Sequence, residues 1–258
     1  MNLQNILSDI EQVDPEVYER LSSRRNLFRV GRKVAAAAVP LAFGASLKQA
    51  YGQATSGIVD ILNFALTLEY LEDTFYKAGL AAPNLIPAAQ RLIFQQISKH
   101  ESQHVDFLRS AIAGAGGTPV AAPRVDPTAG GTFRDVLTNY QTFLLVSQAL
   151  EDTGVRAYKG QAGNLVGNDA VLTAALQIHS VEARHAAEVR RLRNVKPWVT
   201  ATDTVPAAVY AGEDVVTQAG VNINTVAAGI SATAAAEAFD EGLTREQVLA
   251  IARPFIIG

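Results

Sequence analysis

Two short stretches of this sequence share a spacing that metal chemistry uses. Glu101-Ser102-Gln103-His104 and Glu182-Ala183-Arg184-His185 are both Glu-x-x-His, and they stand 81 residues apart. On a helix, residues i and i+3 share a face, so each stretch offers a carboxylate oxygen and an imidazole nitrogen to one point. Upstream of each stands another glutamate with a tyrosine seven residues on: Glu69 with Tyr76, and Glu151 with Tyr158, 82 residues apart. The chain thus carries an internal repeat, and the repeat is where its chemistry-bearing residues lie. Four carboxylates offset two divalent cations, and two neutral imidazoles complete the shells. Without metal, four glutamates set among Leu, Ile, Val and Phe would be desolvated and repel one another. A lone Glu-x-x-His is a weak signal. Here two of the four histidines carry it, each with the same upstream pair, which chance seldom supplies.

The elements that must position these residues read as helices. Ile58 to Gly79 aligns Leu62, Ala65, Leu66, Glu69, Asp73 and Tyr76; Gly79 and Ala82-Pro83-Asn84 are its stop signals. A second helix, from about Pro87 to Ala113, aligns Ile93, Ile97, Glu101, His104, Leu108 and Ile112. Gly114 to Gly131 is a linker of Gly, Pro and Ala. A third helix from about Phe133 to Lys159 aligns Val136, Tyr140, Leu144, Gln148, Glu151, Val155 and Tyr158, with a turn over Gly160 to Gly167. A fourth, Asp169 to Leu192, aligns Leu172, Ala175, Ile178, Glu182, His185 and Val189. Two short connections predict two antiparallel hairpins. The linker of about 17 residues reaches roughly 55 Å extended, more than the roughly 37 Å length of a 25-residue helix. One long crossover between the hairpins is therefore expected.

The rest of the composition mostly excludes. With 258 residues, 48% hydrophobic and 18% charged, the chain is globular rather than disordered. A net charge of −3 offers no basic surface for nucleic acid. There are no cysteines, which removes disulfides, thiolate sites, iron–sulfur clusters and a rubredoxin-like electron relay together. Carboxylate and imidazole ligands suit iron, manganese or zinc. Near the amino end, a polar helix-like stretch from Asn2 to Arg20 precedes Arg24-Arg25 and an apolar run from Val34 to Leu47. This reads as a twin-arginine export signal and a periplasmic destination, or else as an ordinary helix of a cytoplasmic protein. The apolar run is too short for a transmembrane span. The expected organisation is residues 1–54 as that segment, 55–197 as the bundle, and 198–258 as an irregular extension. Within the extension, Thr244 and Gln247 mark the start of a short helix.

Residues 57–195 resemble the ferritin-like superfamily, with all six ligand positions of its bacterioferritin-type di-iron pattern present. The resemblance implies an all-α, ferritin-like four-helix bundle with Glu69, Glu101, His104, Glu151, Glu182 and His185 as metal ligands. Glu69 and Glu151 would be its terminal or bridging glutamates. Leu68-Glu69-Tyr70-Leu71-Glu72, Leu150-Glu151-Asp152 and Glu182-Ala183-Arg184-His185-Ala186-Ala187 are similar to a bacterial group sometimes called desiccation-related, as is the tail around Tyr210-Ala211-Gly212-Glu213.

Several residues compete for roles around the site. Glu72 and Asp73 rival Glu69 as ligands, though the tyrosine at +7 favours Glu69. Asp73 is otherwise an acceptor behind the ligands or a polar residue near the surface. Tyr76 and Tyr158 either hydrogen-bond carboxylates of the opposite hairpin or serve as core aromatics. His100 and His179 break the repeat and read as rim histidines; Trp198 reads as a packing cap. The position one turn before His104 is His100 and before His185 it is Val181, so a carboxylate partner for the second ring nitrogen must come from another helix or be missing. The function expected is a di-metal centre, iron or manganese, doing redox chemistry with dioxygen or peroxide in a homo-oligomer. Iron storage, and a stress protein stabilised by metal without turnover, are the alternatives.

Overall fold

The computed structural model describes residues 56–200, 202–203 and 206–257. The expected amino-terminal helix and twin-arginine segment lie outside the described residues. Four long helices form a bundle: α1 (Ser56–Ala81), α2 (Arg91–Gly114), α3 (Tyr140–Ala162) and α4 (Asp169–Leu192). α1 packs along α2, and α3 along α4. Short connections make each pair an antiparallel hairpin, and residues 115–139 are the single long crossover. Among the described residues, no helix is long and apolar enough to cross a membrane.

The inward stripes follow the helical period. On α2 the buried set includes Phe94, Ile97, Glu101, His104, Leu108 and Ile112, spaced by threes and fours. The core forms two large clusters and a small third of Ala149, Val209 and Tyr210, with the repeat's polar residues among them. One end is aromatic: Phe75 and Phe143 stack at 5.1 Å, and Phe94 meets Phe143 edge-on at 5.1 Å. Such ring pairs contribute about 0.5–1.5 kcal/mol each beyond their buried area. The other end is chiefly aliphatic, around Leu66, Leu108, Ile112, Val171 and Ile178.

The carboxy-terminal residues fold back onto this bundle. They form α5 (Ala207–Tyr210), a two-residue-stranded hairpin, α6 (Ala232–Ala236) and α7 (Arg245–Ala252). Thr244 and Gln247 make the reciprocal capping box that starts α7. Leu243, Val248, Ala252 and Phe255 enter the same cluster as Phe75 and Phe143. The chain's end then pairs with the crossover: Arg124 and Val125 lie antiparallel to Ile257 and Ile256.

Four element limits differ from the sequence expectation. α3 starts at Tyr140, not near Phe133. Asp135 holds the side chains of Asn139 (2.8 Å) and Thr142 (3.1 Å), and Asn139 caps the helix by accepting from the Gln141 N–H. α2 starts at Arg91 because Ala88 to Gln90 form a turn after Pro87, closed by Gln90 N–H to Pro87 O at 2.9 Å. Gly79 and Gly160 do not end their helices, which run on to Ala81 and Ala162. Both are contact points: a Cβ would sit 2.3 Å from the Phe143 ring at Gly79 and 1.9 Å from the Leu243 carbonyl oxygen at Gly160. Trp198 is not a buried cap either; it is 47% exposed, with its indole N–H donated to Glu237.

Candidate metal centre

Each helix delivers its share of the repeat to the middle of the bundle. Glu69 comes from α1, Glu101 and His104 from α2, Glu151 from α3, and Glu182 and His185 from α4. The four glutamates have no exposed surface, and His185 and His104 keep only 5% and 9% of theirs. They fall into two groups able to hold an ion: Glu69, Glu101, His104 and Glu182, and Glu101, Glu151, Glu182 and His185. In each group one oxygen or nitrogen per residue lies within 4.8 Å of the others. Glu101 and Glu182 belong to both. Glu69 with His104, and Glu151 with His185, each belong to one group only.

The distances show how one carboxylate serves two points. His104 Nδ1 lies 3.1 Å from Glu69 Oε2, 3.2 Å from Glu101 Oε2 and 3.2 Å from Glu182 Oε1. His185 Nδ1 lies 2.9 Å from the other oxygen of Glu101 and 3.2 Å from Glu151 Oε2. Despite that closeness His185 Nδ1 makes no hydrogen bond, and neither do Glu101 Oε1, Glu151 Oε2 or either oxygen of Glu182. Lone pairs converging on shared points without pairing to one another are what a cation would satisfy and what water-free burial otherwise penalises.

The tyrosines cross between hairpins. Tyr76 on α1 donates its hydroxyl to Glu151 on α3, and Tyr158 on α3 donates to Glu69 on α1. Each terminal glutamate is thus held from the opposite hairpin, leaving its other oxygen for the group it belongs to. Asp73 sits further out and touches none of the six. It accepts from Ser102 (2.6 Å) and from Lys77 (2.7 Å), tying α1 to α2 beside Glu101.

Electrostatics carry the mark of a centre that requires positive charge. Burial opposes ionisation of every group here. The carboxyl of Glu182 is pushed up to about 8 by burial and then by the charge of Glu69; that of Glu101 rises to about 7 by burial and then Glu182. Glu151 is also raised by burial; burial is the largest single influence on Glu69 too, but the bond and charge of His104 together with the bonds from Glu101 and Tyr158 outweigh it and hold Glu69 low. Burial disfavours the His185 imidazolium, yet Glu151 and Glu101 override this and raise it to about 11; His104 is driven up in the same way by Glu101, Glu182 and Glu69. Protons occupy the role that cations would take.

Two residues that the repeat hides complete the surroundings. His100, expected at the rim, is half-buried: its Nδ1 lies 2.9 Å from His185 Nε2, with the rings stacked at 5.1 Å. Gln96 follows, 2.6 Å from His100 Nε2. Were His185 Nδ1 to hold a metal, its Nε2–H would donate to His100 Nδ1, and the Nε2–H of His100 would donate to Gln96 once its amide is turned to present the oxygen. His104 has no such partner among the described residues. The signal was legible as Gln96 and His100 one turn apart on the face leading to Glu101, but no counterpart exists at Val181. His179 is a rim residue whose Nδ1–H donates to the Val155 carbonyl at 3.0 Å. Glu72, the other hidden residue, is 3% exposed and outside both groups. It faces Gly154, where a Cβ would stand 3.1 Å from Glu182 Oε2 and 3.4 Å from Glu72 Oε1. Burial, then the charges of Glu182, Glu151, Glu101 and Glu69, hold its carboxyl well above the usual range.

The ferritin-like domain family matches residues 57–195, the span of all four helices and all six residues. The chain belongs to the ferritin-like family. A search of the curated proteins finds no match. In this ferritin-like bundle the buried Glu and His groups fit a metal by donor type, by their unpaired atoms and by charge.

Proposed function

We propose that the chain is a di-metal carboxylate protein, most naturally di-iron, that performs ferroxidase- or oxidase-like redox chemistry with dioxygen or peroxide. The observation that carries this reading is the pair of overlapping four-residue groups sharing Glu101 and Glu182. A structural ion needs one closed group; two groups with common carboxylates would hold two ions close together. When bound, two iron(II) ions supply two electrons, so that dioxygen with two protons leaves as hydrogen peroxide. The chain's own residues prepare the place for this. Glu69 and His104 would hold one ion, Glu151 and His185 the other, and Glu101 and Glu182 would reach both. Tyr76 and Tyr158 fix the terminal carboxylates, and the two hydrophobic clusters keep bulk water from both ends of the site.

Metal analysis of the full-length protein, beside a Glu101→Ala/His104→Ala variant, tests the reading. About two iron or manganese ions per chain, lost in the variant, followed by dioxygen- or peroxide-dependent oxidation of the ferrous form, is the expected result. No transition metal after anaerobic iron loading would overturn it.

A further inference from the structure

The carboxy-terminal helix α7 contributes to the walls of two adjoining pockets, the inner of which reaches Glu72 and Gly154 beside the carboxylate cluster. The outer one is a cavity of about 200 Å³ between α3, α5, α7 and the end of the crossover. Phe133, Leu150, Val209, Ile251 and Phe255 line it, and Thr132 is the one polar side chain in its wall. The inner one, about 10 Å³, lies between α1, α3 and α7. Leu150 and Ile251 belong to both linings, so these two side chains are the partition. The inner pocket is walled by Leu68, Leu71 and Ala252 and closed at its floor by Glu72 and Gly154. Its one hydroxyl, on Thr153, is turned away into a 2.6 Å bond to the Ala149 carbonyl. Gly154 is the thin point: where its Cβ would be, Glu182 Oε2 lies 3.1 Å away. Glu72 and the bare backbone of Gly154 are thus what lies between the inner pocket and Glu182.

We propose that this pair of pockets is the route by which dioxygen reaches the metal centre, with Leu150 and Ile251 as its gate and α7 as its roof. This rests on the redox reading given above and names the oxidant for it. Size and polarity select the occupant. An inner pocket of this volume holds about one water-sized molecule, so an organic substrate cannot pass through it to the cluster. An apolar lining gives ions and strongly hydrated molecules no replacement for lost water, whereas an uncharged diatomic gas gives up almost no hydration on entry. Apolar cavities of this kind remain dry and take up xenon. Folding the tail back over α1 and α3 then has a purpose beyond stability: it builds an apolar antechamber on the Glu182 side of the site.

Two measurements test the route. Xenon is the probe that needs no metal: in the metal-free full-length protein under xenon pressure, the gas is expected in the outer cavity by crystallography or xenon NMR. Ile251→Trp should expel it, and Ile251→Ala should let it occupy the inner pocket. In the iron-loaded protein, Ile251→Trp should slow oxidation by dioxygen at least about tenfold with unchanged iron content. Ala208→Trp places the same obstruction at the exposed mouth of the cavity and stands in should the first variant fail to fold. Absence of xenon from the cavity, or a wild-type oxidation rate in a variant that excludes xenon, would overturn the route. Failure of the redox reading looks different: the iron-loaded wild type would leave dioxygen untouched whatever stands at position 251, while xenon would still fill the cavity.

Discussion

The two hairpins are copies where they face the cluster and strangers one layer behind it. Glu69, Tyr76, Glu101 and His104 have their counterparts in Glu151, Tyr158, Glu182 and His185, and even the hydrogen bonds exchange: each tyrosine serves the other hairpin's terminal glutamate. Behind this symmetric set the equivalence stops. His100 answers to Val181, Glu72 to Gly154, and Tyr70 to Asp152. Symmetry is kept where two ions would impose the same demands twice. It is lost one layer out, where the tail packs along α3 and touches α1.

Breaking the shared layer should give the largest effect. Glu182 contributes to both groups, so Glu182→Ala should reduce bound metal from about two ions per chain to near none. Glu69→Ala and Glu151→Ala each remove a terminal carboxylate from one group and should each leave about one ion. Elemental analysis of the three variants checks this. Equal retention in all three would mean that Glu182 does not bridge.

The next effect separates the hairpins. Arg109 and Arg190 occupy equivalent positions and bind equivalent residues, Tyr70 and Asp152. Arg109 is exposed, with one 2.9 Å bond to the Tyr70 hydroxyl. Arg190 is fully buried; it donates to Asp152 at 2.6 Å and to Asp203 and the Trp198 carbonyl, and it underlies the Tyr210 ring. Arg190→Ala leaves the buried Asp152 carboxylate without its cation, held only by the Tyr210 hydroxyl at 2.8 Å, and should cost about 3–5 kcal/mol in denaturant unfolding. Arg109→Ala should cost about 1 kcal/mol or less. Similar losses in both would deny the tail its role in the asymmetry.

This division also explains what the sequence could show. Ligand spacing, helix count and hairpin connectivity depend on periodicity and repetition, which a linear pattern records directly. The inner layer was legible for that reason, Glu69 being preferred to Glu72 only because Tyr76 has a partner in Tyr158. What escaped depends on contacts made across the fold. His100 was set at the rim because the repeat offers nothing at Val181, yet its partner His185 is on α4 and reachable only once the bundle closes. Gly79 and Gly160 carry the composition of a helix stop, and nothing local tells that signal apart from space reserved for Phe143 or Leu243. The tail's two-sided grip also lay hidden: Arg156 holds the Val209, Ala211 and Glu241 carbonyls and Glu213, all far away in sequence.

His100 permits a smaller and more selective test. Loss of a residue that orients a ligand imidazole typically costs 10–100-fold in metal affinity, and about that loss is expected for His100→Ala. It should fall on the ion held by Glu151 and His185 and spare the one held by Glu69 and His104. Calorimetric titration of the metal-free protein should resolve two equal steps into two unequal ones. His179→Ala, equally near in sequence but bonded to a backbone carbonyl, should leave both steps unchanged.

The smallest effect is one of pH, and its sign follows from the direction of each shift. A carboxyl or imidazole whose folded value is raised binds its proton more tightly in the folded state, so its stabilisation is full below the unfolded value and is lost as pH rises through the folded one. For Glu101 and Glu182 the loss runs from the ordinary glutamate range up to about 7 and about 8; for His185 it runs from the ordinary histidine range up to about 11. Glu69 alone is lowered and works the other way, with its stabilisation lost in acid as pH falls. The metal-free protein should therefore melt at steadily lower temperature between about pH 5 and pH 8. Metal ions displace those same protons, so the rise in melting temperature on loading should be larger at pH 8 than at pH 5.5. Here the hairpins differ again within the symmetric layer, because Glu69 is held low by His104 while its counterpart Glu151 is raised. Glu151→Gln should accordingly flatten the slope above pH 5 by removing a raised carboxyl, and Glu69→Gln by freeing Glu182 from the Glu69 charge, while only Glu69→Gln should also weaken the loss of stability in acid; thermal melts of the two metal-free variants would show which hairpin holds its proton.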